Sequence, residues 1–95
     1  MKTGTTSTGF RYEFDEQNAN DMRFVDLIAM ISAEDTPDFE KISGLSRLLE
    51  MLLGREQKAA LYEHIGLSHE GRVPPAELDL ALAEILQGGG DAVKN

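Results

Sequence analysis

The sequence contains no cysteine. That excludes a disulfide framework, a thiolate zinc site and a cysteine nucleophile. Long apolar runs are also missing: none approaches the roughly 18 residues that a membrane-spanning helix needs, so no membrane partner is expected. The Met1 to Gly9 segment is rich in Thr, Ser and Gly with a single Lys, and lacks the apolar stretch of a signal peptide; a cytoplasmic location is expected. Basic residues are scarce. Lys and Arg number 9 against 17 Asp and Glu, giving a net charge of −8, and the cations are scattered singly. A phosphate backbone would find no basic patch to bind, so nucleic acid is not an expected partner. Phosphate-loop, Rossmann and nucleophile-elbow glycine patterns are absent as well; Gly88-Gly89-Gly90 lacks the Lys-Ser/Thr that would follow in a phosphate loop.

What is present suits one small domain. Leu, Ile, Val and Phe make up about a quarter of the chain, above the roughly one-fifth below which disorder is the default. Residues 1–9 read as a flexible tail, since small polar residues bury little and cost entropy to order. Phe10, Tyr12 and Phe14 then alternate with Arg11 and Glu13, the only period-two signal in the chain. With no second strand legible, this segment is expected as an extended arm, either laying its rings on the helices or pairing with a neighbouring copy or partner. Four helices are expected in the 10–87 domain, so the fold class is all-α. The first runs from about Asn20 or Asp21 to Ser32, with Phe24, Leu27, Ile28 and Ile31 on one face. The second runs from Pro37 to Leu53, with Thr36 as N-cap and Asp38 and Glu40 favouring the positive helix end. Its main stripe is Phe39, Ile42, Leu45, Leu49, Leu52 and Leu53, its Gly44 offers close approach to another helix, and Gly54 ends it. A third helix spans Arg55 to Ile65, and a fourth runs from Pro74-Pro75 to about Gln87. Residues 88–95 read as a flexible C-terminal tail. The expected core is Phe24, Ile28, Ile31, Ile42, Leu45, Leu49, Leu52, Leu61, Ile65, Leu78, Leu82 and Ile85.

Material for catalysis or metal binding is thin. Glu63-His64 and His69-Glu70 each place an acid beside an imidazole, but sequence neighbours do not face each other on a helix. A metal held by His64 and His69 across Gly66 competes with ordinary surface histidines near a helix end, which are far commoner. Glu34, Asp35, Asp38 and Glu40 lack the alternating spacing, central Gly and terminal Glu of a calcium loop. No catalytic residue, cofactor or metal site is therefore expected.

The informative feature is apolar excess. The first helix is apolar nearly all round, because Met22, Val25, Ala29 and Met30 fall outside its core face. Leu48 and Met51 give the second helix another apolar edge, and Leu80 lies off the stripe of the fourth. Methionine-rich surfaces adapt to partners. Either neighbouring helices cover these edges or a partner does. The candidate partner-binding residues are Met22, Met30, Leu48 and Met51, with Phe10, Tyr12 and Phe14 of the arm; self-association into a homo-oligomer is one form this takes.

The order of these pieces is Phe10-Arg11-Tyr12-Glu13-Phe14, an Asn/Asp-rich cap, a short helix and an acidic turn. A leucine-rich helix follows, ending Leu52-Leu53-Gly54-Arg55-Glu56-Gln57, then a Leu61-Tyr62-Glu63-His64 helix, a Gly71-Arg72-Val73-Pro74 turn and Ala76 to Leu86. It resembles the small tail assembly chaperones of long-tailed bacteriophages and prophages over most of Phe10 to Asn95. The resemblance implies a non-enzymatic virion-assembly role. Such chaperones bind the long, helical, apolar tape measure protein in the host cytoplasm. They keep it soluble until tail tube protein polymerises around it, and are absent from the finished virion. In many phages a ribosomal frameshift near the end of the gene adds a second domain that recruits tube subunits. Lys94-Asn95 can be encoded AAA-AAC and the glycine triplet as a run of guanines, either of which would let ribosomes slip; an ordinary frayed end is the alternative. Outside the family, net charge suggests an acidic regulatory protein that inhibits a nucleic-acid-binding partner, although its acids are dispersed rather than aligned on one face.

Overall fold

The computed structural model describes residues 1–87, in which two short strands precede four helices. The C-terminal segment read above as a tail with slippage codons, 88–95, lies outside the described residues. β1 (Lys2–Thr5) and β2 (Arg11–Phe14) pair antiparallel, with Lys2 opposite Phe14 and Thr5 opposite Arg11. The all-α expectation is thus corrected to a mostly helical fold carrying a two-stranded sheet. The segment expected as a free tail supplies the missing strand, so the arm finds its partner within its own chain. Thr6 N–H donates to Phe10 O at 2.8 Å, and Gly9 takes a φ of +98° that other residues rarely adopt, so the chain reverses between the strands.

Alternation in β2 puts Phe10, Tyr12 and Phe14 into the core while Arg11 and Glu13 stay exposed. Opposite Tyr12, Gly4 leaves room for the phenol ring; a Cβ at Gly4 would overlap the ring. Asp15 and Asp21 then accept backbone N–H bonds that start, respectively, a 3₁₀ turn at Glu16–Ala19 and helix α1 (Met22–Ser32). Helices α2 (Asp38–Leu53), α3 (Arg55–Gly66) and α4 (Pro75–Leu86) follow within a residue or two of their expected bounds. At the start of α2 the cap is Pro37, not Thr36, and no side chain closes it.

Helix α2 is the hub: α1, α3, α4 and β2 all pack on it. From Gly44 to Leu53 its buried residues are Gly44, Leu45, Leu48, Leu49, Leu52 and Leu53. Each such leucine removed from water contributes about 1.5–3 kcal/mol. α1 crosses at Gly44, where a Cβ would press on Met30 and lie 3.0 Å from Ile31 Cγ2. The expected core is buried at Phe24, Leu45, Leu49, Leu52, Leu61, Ile65, Leu78, Leu82 and Ile85, with Ile28 and Ile31 half-buried against it. Ile42 departs from it, at 40 % exposure. Leu48 and the three rings of the arm join the core instead.

The end of α2 shows what the Leu-Leu-Gly-Arg-Glu-Gln segment does. The last carbonyls of a helix have no partner within it. Here Asn18 Nδ2 donates to Leu52 O at 2.9 Å and Gln57 Nε2 to Leu53 O at 2.8 Å. Gln57 also accepts from Glu13 N–H at 2.8 Å and donates to Glu13 O. Its amide thus stands against β2 as a single residue of a third strand would, fastening the hairpin to the α2–α3 corner.

Candidate partner-binding surface

The seven residues expected to meet a partner separate into two groups. Leu48 is fully buried, and Phe10, Tyr12 and Phe14 are buried too, so the surface assignment is corrected for these four. Leu48 lies on the second apolar edge of a helix that other elements enclose, and the rings follow the strand alternation inward. Met30 and Met51 are half-buried, Met30 over Gly44 and Met51 against the core. Met22 alone is openly exposed, at 67 %. It shares the outer side of α1 with exposed Val25 and Ala29, spaced three and four residues apart.

The larger departure lies on α2. The stripe that is core from Leu45 onward continues outward through Ile42 to Phe39, and Phe39 is 80 % exposed. From Asp38 to Ser43 only Lys41 is even partly covered, so this end of α2 stands clear of its neighbours. Between it, the end of α1 and the start of α4 opens a cleft of about 570 Å³, with Ile31, Ile42, Leu45, Pro75 and Ala76 as its apolar lining and Asp38, Lys41 and Asp79 as its charged groups. Periodicity alone puts Phe39 and Ile42 on the stripe of the core leucines, and Ile42 in the core; the short acidic connection before them, too polar to fold over the helix, was the signal that they would stay open.

A second cleft, about 270 Å³, lies between the hairpin turn, α3 and α4, with exposed Leu67 and Leu80 at its mouth. Both histidines line it. His64 Nε2 donates to Thr8 O at 3.2 Å, and His69 Nδ1 donates to Ile65 O at 2.9 Å. Because that Nδ1 carries its proton toward the carbonyl, it cannot take one from Ser68 Oγ, 3.3 Å away. Among the described residues no three His, Asp or Glu side chains converge as a metal site, and no helix is long and apolar enough to cross a membrane.

The turn is clasped to α4 by Glu84, whose carboxylate accepts from Ser7 Oγ at 2.6 Å and from Ser7 N–H at 2.8 Å. These two bonds, the hydroxyl's first, hold the Glu84 carboxyl below its ordinary value of 4.5. A carboxyl depressed by folding adds stability above its unfolded pKa and loses that share as pH falls through the folded one. Asp21, bonded to the Arg23 side chain and backbone and lowered to about 2, does the same at the start of α1. Urea unfolding followed from neutral pH downward should therefore show a steeper stability loss below pH 4.5 in the native chain than in Glu84→Gln. Identical profiles would show that the clasp carries no stability.

Compared with family models, with curated proteins and with solved structures, the chain matches none.

Proposed function

We propose that this chain is a non-enzymatic tail assembly chaperone. It binds apolar helical stretches of a tape measure protein in the host cytoplasm, keeps that protein soluble until tail tube protein polymerises around it, and is left out of the virion. A longer frameshifted form would recruit the tube protein. One observation carries the reading: Met22, Val25, Phe39 and Ile42 stay exposed on α1 and α2 of a chain with net charge −8. Apolar side chains held outward by a folded core offer a helix its seat, and the charge keeps the complex in solution. A role without catalysis fits the polar groups, since Ser7, Glu84, His64 and His69 are engaged in fastening the hairpin and the α3–α4 loop. The sequence order from Phe10 to Leu86 supports the family.

The test is co-expression with the very long helical reading frame expected next to this gene. The tape measure polypeptide should move largely from the pellet to the soluble fraction and copurify with this chain. Met22→Glu with Val25→Glu should reverse much of that shift without loss of helicity. A tape measure protein equally insoluble with and without the chain would overturn the proposal, as would a neighbourhood with no tail genes.

A further inference from the structure

The geometry points to a specific occupant for the cleft between the starts of α2 and α4: an amphipathic helix of a partner protein that carries Lys or Arg beside its apolar stripe. This rests on the reading of the chain as a binding protein and adds the chemistry of what it binds. The floor of the cleft, at Leu45, is continuous with the core, and Ile31 and Ile42 form apolar walls beside it. Phe39, one turn before Ile42, extends that apolar surface past the cleft along α2. Side chains three apart on a helix make a ridge that packs into the grooves of another helix. An extended peptide gains its affinity from main-chain bonds to an open sheet edge, and every wall of this cleft is helical or a helix start. A helix brings its own backbone bonds and needs only the apolar contact.

Charge selects among helices. Glu34, Asp35, Asp38 and Glu40 precede or flank the exposed turn of α2, and Asp79 stands on the α4 wall; among the described residues Lys41 is the one cation lining the cleft. A second copy seated symmetrically here would bring the same acids face to face, in a chain already at −8. A free anion meets Asp38 and Glu77 in the first turns of both helices. A basic amphipathic helix meets apolar surface at its stripe and carboxylates at its flanks.

The probe is a fluorescent synthetic helix of Leu and Lys, roughly 18 residues or five turns long, compared with the same peptide carrying Glu for Lys, each titrated against the whole chain by anisotropy. The Lys peptide should bind, and weaken as salt is raised; the Glu peptide should not. Phe39→Ser with Ile42→Ser should weaken binding by about tenfold or more, and Asp38→Asn with Asp79→Asn should also weaken it and flatten the salt dependence. Leu67→Ser, at the other cleft, should change nothing. Equal binding of the two peptides, or unchanged binding in the Phe39/Ile42 variant with native circular dichroism, overturns the inference. So does a dimer in analytical ultracentrifugation that the Phe39/Ile42 variant alone dissolves, which makes a second copy the occupant. If the cleft variants fail to weaken the peptide while co-expression still solubilises the tape measure protein, the cleft assignment falls and the chaperone reading stands. The reverse pattern removes the chaperone reading and leaves a basic-helix site.

Discussion

Leu48→Glu should unfold the domain at room temperature. Leu48 has no exposed surface and sits in the enclosed C-terminal half of the helix on which α1, α3, α4 and β2 all pack. Truncating such a leucine to alanine costs about 2–5 kcal/mol. A carboxyl in its place adds the cost of burying a polar group with no partner, about 1–3 kcal/mol even when it takes a proton to shed its charge. Small domains have a total stability of about 5–15 kcal/mol, and a chain this short belongs near the lower end. Far-UV circular dichroism and urea unfolding read the outcome. The companion change Met51→Glu, at a half-buried position one turn on, should lower the urea midpoint but leave the chain helical. Native helicity and an unchanged midpoint in Leu48→Glu would refute the packing around α2.

Gly4→Val should free the hairpin while leaving most of the helical signal. A Cβ at Gly4 would overlap the Tyr12 ring, which is itself buried and stacked beside Phe14 with ring centres 6.2 Å apart. A ring cannot yield as a flexible side-chain end does, so the ring or β1 must move. Overpacking of this kind costs about 1–3 kcal/mol. Gly9→Val, in the same hairpin, finds open space around its Cβ but a positive φ, so it separates backbone strain from collision. The expected result is a lower melting temperature with loss of hydrogen-exchange protection in β1 and β2 before the helices. Full protection of Thr3 to Thr5 in Gly4→Val would show that the ring does not lie across β1.

The four helices were legible because each carries its own punctuation: Asp21 before α1, Pro37 before α2, Gly54 between α2 and α3, and Pro74-Pro75 before α4. The alternation Phe10, Tyr12, Phe14 was legible as strand and as ring-bearing arm, and both descriptions hold together in β2. β1 was not legible, since Lys2-Thr3-Gly4-Thr5 has no apolar alternation; its pairing follows from a glycine that makes room for a ring on the other strand. On α1, periodicity found the exposed side at Met22, Val25 and Ala29, but not that Met30 folds over Gly44. It misplaced Leu48, expected on the surface, and Ile42, expected in the core, for one reason. Helical spacing says which residues share a face, but not how far along the helix its neighbours extend. α2 is enclosed from Gly44 onward and open before it, a boundary set by where α1 crosses and where α4 begins.

The clasp between Ser7 and Glu84 joins residues 77 positions apart, and this gives the molecule a timetable. Ribosomes add roughly 5–20 residues per second, so about 4 to 15 s separate the synthesis of the hairpin turn from that of its anchor on α4. Contacts of such long sequence separation form late. Within that interval Gln57 and His64 can already hold the hairpin but Glu84 cannot, and a partner that engages the protein during translation meets a hairpin whose clasp to α4 has not yet closed.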